Sequence, residues 1–65
     1  MVHIGTFTEA DLRLKKDKKA CDKIKKETSG VICYFKTKLK KRKGVIVALD
    51  VYGLTVEEYR HSNFI

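Results

Sequence analysis

The chain has no proline, no tryptophan and no glutamine, only two cysteines and four glycines, and no apolar run longer than five residues. Without proline, glycines and capping side chains must set the ends of helices and strands. The longest apolar runs, Val31-Ile32-Cys33-Tyr34-Phe35 and Val45-Ile46-Val47-Ala48-Leu49, fall far short of the roughly 20 residues a membrane-spanning helix needs. Val2–Phe7 is too short and too polar for the core of a secretory signal. Cys21 and Cys33 cannot build a disulfide framework, so free thiols and a cytoplasmic, intracellular location, including the inside of a host cell, are expected. There is no glycine-rich phosphate loop. Side chains that read base edges are scarce, with three arginines, one asparagine and no glutamine, so recognition of a particular base sequence is not expected.

What the chain has is lysine. Fifteen basic residues face eight acidic ones, for a net charge of +7. Thirteen of the fifteen lie between Lys15 and Lys43, and Arg13 and Arg60 are the others. The cluster is in two blocks, Lys15 to Lys26 and Lys36 to Lys43, and such a field points to a polyanion.

Sixty-five residues make a single domain spanning 1–65. A chain this short buries only about 60% of its unfolded surface, so its stability is marginal. The two five-residue apolar runs still argue for a folded chain rather than a disordered one. Val2–Phe7 reads as a strand. Thr8 reads as a helix N-cap with Asp11 as the capping-box acid, and Phe7 and Leu12 as the hydrophobic staple. The helix is expected from Glu9 to Thr28, with Gly30 taking the left-handed position that ends it. Ala10, Leu14, Ala20, Cys21, Ile24 and Thr28 form its apolar stripe, while Lys15, Lys16, Lys19, Lys23 and Lys26 gather opposite. Asp17 falls inside the stripe without explanation.

Val31–Lys41 and Val45–Tyr52 alternate as strands do. A three-residue loop, Arg42-Lys43-Gly44, predicts a register with Leu39 opposite Val47, Thr37 opposite Leu49, and Phe35 opposite Val51. On the outer face it pairs Lys36 with Asp50 and Tyr34 with Tyr52, and Val45, Val47, Leu49 and Val51 face the core. Gly53 ends the strand. Thr55 and Glu58 then form a second capping box, with Leu54 and Tyr59 as its staple, opening a helix that runs to about Asn63. The fold expected is α+β, in the order β-α-β-β-α, with a helix packed on an antiparallel sheet that carries a basic β-hairpin.

The candidate binding residues are Lys15, Lys19, Lys23 and Lys26 on the helix back, Lys36, Lys38 and Lys40 on the outer hairpin face, and Lys41, Arg42 and Lys43 at its tip. Lysine meets phosphate as a point charge, and several such contacts give salt-sensitive, largely sequence-independent binding to DNA or RNA. Tyr34, between the lysines, is placed to stack an unpaired base; the plainer reading is a cross-strand pair or a ring covered by the last helix. A solvated, solubilising lysine surface is the plainest reading of the charge.

The alternative is a small viral or mobile-element accessory protein that binds and modulates an acidic protein partner. An exposed edge at Val2–Phe7 is compatible with a homodimer. His3, Cys21, Cys33 and His61 are zinc-ligand types without ligand spacing, so neither metal nor cofactor is implied. A small RNase or toxin using His3 or His61 is the enzymatic alternative, although no partner for either histidine is evident, and no catalytic residue is assigned. Cys21 and Cys33 read as buried hydrophobes.

Overall fold

The structure, a computed structural model, describes residues 1–61. The elements are β1 (Val2–Phe7), α1 (Glu9–Arg13), α2 (Lys16–Glu27), β2 (Ile32–Arg42), β3 (Val45–Thr55) and α3 (Val56–His61). The strands form one antiparallel sheet in the order β1-β3-β2. This is the β-α-β-β-α arrangement expected, flattened to 35 × 26 × 16 Å. Asn63, the expected end of the last helix, lies outside the described residues.

The Thr8 capping box forms as expected, with the Thr8 and Asp11 side chains each accepting from the other's backbone N–H. The single helix Glu9–Thr28 does not. It breaks at Leu14-Lys15, where Lys15 turns left-handed (φ 56°) and becomes the N-cap of α2. The break places Lys15 ahead of α2 rather than inside a continuous helix. It also accounts for Asp17, which falls in the first turn of α2, where the helix dipole favours a carboxylate. Asp11 pairs with Lys16 across the break at 3.5 Å, rather than with Lys15. Leu14, expected in the apolar stripe, is 62% exposed because the redirected chain carries it away from the sheet.

Ala10, also expected in the stripe, is exposed on α1, and the part of the stripe on α2 and its C-cap holds. Asp17, Ala20, Cys21, Ile24 and Thr28 are half-buried, whereas the lysines of α2 are exposed. Both cysteines are half-buried rather than buried, because α2 covers a thin sheet. At the end of α2, Gly30 N–H bonds to Lys25 C=O (2.9 Å) and Ser29 N–H to Lys26 C=O (3.2 Å). That is the Schellman pattern, in which the first left-handed position belongs to Ser29 (φ 52°) and not to Gly30 (φ 81°) as expected.

The hairpin register differs from the expected one by two residues. The loop is two residues long, Lys43-Gly44, closed by Arg42 opposite Val45. Both loop residues have positive φ (51° and 80°), as a type I′ turn requires. This tighter turn shifts the pairing by one residue, which alone would exchange the two faces. A bulge then shifts it once more: Lys41 opposes Ile46, Lys40 opposes Ala48, and Val47 is extra. The two shifts together restore the faces. Leu39 now opposes Leu49, Thr37 opposes Val51 and Phe35 opposes Gly53 on the inner face. On the outer face Lys38 opposes Asp50, Lys36 opposes Tyr52 and Tyr34 opposes Leu54, in place of the expected Lys36–Asp50 and Tyr34–Tyr52 pairs.

Gly53 does not end β3. It lies inside the central strand, between Val2 and Phe35, because Ile32 crosses over it. A Cβ at Gly53 would lie 2.5 Å from Ile32 Cγ2. The inner face buries Phe7, Ile32 and Val51. Lys25 Nζ sits 5.5 Å from the centre of the Phe35 ring, which places α2 on this side. Leu54, 3% exposed and on the outer face, lies where α3 packs against β3 and β2. The second capping box opens α3, with Thr55 N–H bonding to Glu58 Oε1 (3.1 Å) and Glu58 N–H to Thr55 Oγ1 (3.2 Å). The Met1 amine also pairs with Glu58.

Cover stops short of the turn. Val47 and Leu39, expected in the core, are exposed, because α1 is short and α2 lies over the other end of the sheet; Val45, also expected there, opposes Arg42 and so falls on the outer face.

Gly53→Ala is expected to lower the unfolding free energy by about 1–3 kcal/mol, because a methyl has no room beneath Ile32. Ser29→Gly and Lys15→Gly should each raise it by up to about 1 kcal/mol by removing left-handed strain. Urea titrations of the three variants check both signs.

Candidate nucleic-acid interface

β1 ends at Phe7, opposite Leu49. Beyond that point β2 and β3 continue alone as a two-stranded arm that reaches about 13 Å further, at roughly 3.3 Å per residue. Alternation along β2 puts Lys36, Lys38, Lys40 and Arg42 on the outer face of the sheet and arm. Lys41 lies on the inner face opposite Ile46, and Lys43 sits in the turn. The tip residues Lys40 to Lys43 therefore divide between two faces. Among the described residues no acidic group lies within ion-pair distance of Lys38, Lys40, Lys41, Arg42 or Lys43.

The helix lysines form a separate surface. Lys19, Lys23 and Lys26 project from the side of α2 that faces away from the sheet, and Lys15 occupies the break before it. Lys23 pairs with Glu27 at 3.8 Å, and the Asp22–Lys26 spacing gives no ion pair. With α2 on the inner face, these lysines and the outer-face row point in opposite directions.

Pairing β1 with β3 assembles a group of side chains that the sequence alone did not bring together. His3 opposes Tyr52, and Thr6 opposes Asp50. The His3 and Tyr52 ring centres are 5.1 Å apart. Thr6 Oγ1 donates to Asp50 Oδ1, and His3 Nε2 lies 3.2 Å from the same oxygen. Across the sheet the outer face thus reads His3–Tyr52–Lys36 in one row and Thr6–Asp50–Lys38 in the next. The signal that would have found this group was the pairing of Val2–Phe7 with the central strand, a long-range register that no local turn specifies.

The hydrogen bonds from Thr6 and His3 hold the Asp50 carboxyl below its ordinary pKa. This is not the geometry of an activated nucleophile. The Thr6 hydroxyl already donates to Asp50, and an Nε2 that donates to Asp50 cannot also accept the hydroxyl proton. Asp50 is instead a carboxylate set among the cations of the outer face and tied down by two donors.

Tyr34 stacks on Tyr59 of α3, with ring centres 4.1 Å apart and planes 9° from parallel. One of its faces is therefore occupied, and Tyr52 is the aromatic residue paired with Lys36. Burial, with a smaller push from Asp17 and Asp22, raises the Cys21 thiol above its usual pKa and keeps it protonated. Among the described residues no three His, Cys, Asp or Glu side chains gather as a metal site, and no helix is long and apolar enough to cross a membrane.

No protein-family model, curated protein or solved structure shows significant similarity to the chain.

Asp11, Asp50 and Glu58 all have lowered pKa values, from hydrogen bonds with Thr8, from Thr6 and His3, and from the terminal amine and Thr55, respectively. The unfolded chain therefore binds more protons in acid. The stabilisation is complete above the ordinary carboxylate range of about 3.9–4.3 and is lost as pH falls through and below it. Urea midpoints measured from neutral pH downwards should stay level and then fall, and Asp50→Asn should make that fall shallower.

Proposed function

We propose that this chain binds nucleic acid through the phosphate backbone, with the β2–β3 arm as the docking element and little base specificity. The observation that carries the reading is the protruding arm itself. It leaves the three-stranded body with Lys38, Lys40 and Arg42 aligned on one face, Lys43 at its end, and no acidic group within ion-pair distance of any of them among the described residues. A two-stranded ribbon fits a major groove about 12 Å wide, and lysine ammonium groups neutralise phosphates without demanding a fixed orientation.

The root of the arm supports a second contact. Tyr52, flanked by His3 and Lys36, offers an aromatic surface to an unpaired base or a sugar, next to the cations that hold the backbone. Asp50 would be repulsive to phosphate there, and its bonds to Thr6 and His3 occupy one of its two oxygens, Oδ1. The α2 lysines, on the far side, add to the long-range field rather than to the same contact. A lone fork-shaped donor, Arg42, is consistent with weak discrimination between bases.

Binding to duplex DNA, single-stranded DNA and RNA should be measured across a salt series. Changing Lys40, Lys41, Arg42 and Lys43 together to Ala should remove most of the affinity and lower the log–log salt slope by about 0.9 for each duplex phosphate that is no longer neutralised. Changing Lys19, Lys23 and Lys26 to Ala should leave that slope nearly unchanged. Asp50→Asn should bind more tightly than the natural chain. Absence of salt-sensitive binding to all three polymers at low salt removes the proposal.

A further inference from the structure

The inner face of the same arm is uncovered and, apart from Lys41 towards its tip, apolar. Leu39 and Ile46 are 51% and 56% exposed, and Val47 and Leu12 are exposed beside them. With Phe7 and Leu49 they line a groove of about 270 Å³ at the base of the arm. A cavity of about 150 Å³ already admits a benzene-sized group, so this groove has room for an aliphatic side chain. We propose that a second copy of this chain occupies it, giving a two-fold symmetric dimer in which the arms pack inner face to inner face.

Three observations select a second copy. The first is the poverty of the core. Among the described residues only Phe7, Ile32, Val51 and Leu54 are buried apolar side chains, and no side chain of any kind is below 2% exposed. Chains of this size ordinarily need a further staple, and association is one of the few open to a chain with no disulfide and no metal cluster among its described residues. An isolated two-stranded ribbon is itself marginal in water, and cover on its apolar face is what it lacks.

The second is area. A stable interface takes about 800 Å² from each partner, a little over half of it non-polar. Half-exposed aliphatic side chains offer on the order of 50–100 Å² each, so Leu12, Leu39, Ile46 and Val47 supply up to about 400 Å², close to the non-polar share.

The third is the placement of charge. Lys36, Lys38, Lys40 and Arg42 lie on the opposite face of the ribbon, so joining inner faces does not press those rows together; Lys41, opposite Ile46 towards the tip, is the one arm cation of the β2 row on the inner face. The one charged residue lining the groove, Glu9, is already paired with Arg13 at 2.8 Å. An acidic peptide in this groove would find Lys41 on its own side and Lys36, Lys38, Lys40 and Arg42 on the wrong one. A copy of the chain instead brings Ile46 and Val47, the raised rim, against Leu12, Leu39 and Leu49, the floor, and receives the same in return, as two-fold symmetry requires. The dimer would carry its basic rows outward on both sides, and the packing of the inner faces does not depend on what those rows bind.

Sedimentation equilibrium of the nucleic-acid-free protein, from low to high micromolar concentration and in raised salt, tests it. The expected result is a concentration-dependent rise from 7.5 kDa towards twice that mass. Ile46→Thr with Val47→Thr keeps β-branching and charge and should weaken the dimer about tenfold or more, with an unchanged far-ultraviolet spectrum. A mixed sample of labelled and unlabelled chains should show intermolecular Overhauser contacts from the Ile46 and Val47 methyls to those of Leu12 and Leu39. A mass that stays at one chain throughout, a dimer that the double variant leaves equally tight, or the absence of those methyl contacts would each overturn the proposal.

Discussion

The register of the β2–β3 hairpin decides which face of this molecule is apolar and which is cationic. Two local features set it, and neither works alone. The Lys43-Gly44 turn, with both residues at positive φ, moves the pairing by one residue and would by itself send Leu39 and Phe35 to the outer face. The Val47 bulge moves it by one more and brings them back. Their combined effect places Lys36, Lys38, Lys40 and Arg42 in one row and Leu39, Ile46 and Leu49 behind them. β1 depends on the same register, since its pairing with β3 sets His3 against Tyr52 and Thr6 against Asp50. A single shift without its counterpart would leave the basic row intact but turn it to the face that α2 covers, with Leu39 and Phe35 sent outward.

A thin sheet also explains the shape of the helical layer. A continuous helix from Glu9 to Thr28 would be about 30 Å long at 1.5 Å per residue, nearly the length of the whole body. Breaking it at Lys15 gives two shorter pieces that can each follow the sheet. The chain accepts left-handed geometry at Lys15, Ser29 and Lys43 to make its reversals, at a cost of about 1–2 kcal/mol per non-glycine residue. That is a large fraction of what so small a core can supply. Two of the three, Lys15 and Lys43, are also part of the basic clusters, where glycine or asparagine would be the easier backbone choice.

The parts of this fold legible from sequence were those carried by short-range chemistry. Thr8 with Asp11 and Thr55 with Glu58 mark both capping boxes because the partners sit three residues apart on the chain. The alternation of β2 correctly assigned Lys36, Lys38 and Lys40 to one face, since the net shift of two preserves parity. The bulge was not legible, because Val45 to Leu49 is apolar throughout and no polar residue marks the extra position. The helix break escaped for a similar reason: Leu14-Lys15 contains no glycine or proline, and Asp17, which sits awkwardly in a continuous stripe, was its only trace. Of the candidate site, the basic residues were legible and their neighbours were not. The Thr6, His3 and Asp50 contacts join positions more than 40 residues apart, and Tyr59 was not paired with Tyr34 because the expected register gave Tyr34 to Tyr52.

The separation of the two lysine surfaces has an electrostatic consequence of its own. The body is 16 Å thick, and the screening length is about 8 Å at physiological salt. At that salt the α2 lysines and the outer-face row are nearly independent, because a charge on one side is screened before its field reaches the other. At about 0.01 M salt the screening length grows to roughly 30 Å, the two surfaces merge into a single field of net charge +7, and any polyanion is attracted from every side. A surface made only of solvated lysines would lose its attraction smoothly as salt rises. An arm whose ammonium groups sat against phosphates would instead lose affinity as a power of the salt concentration, with a slope set by the number of phosphates neutralised. The proposed arm and the helix back would therefore differ in the form of their salt dependence, a constant log–log slope for the one and a fading long-range field for the other.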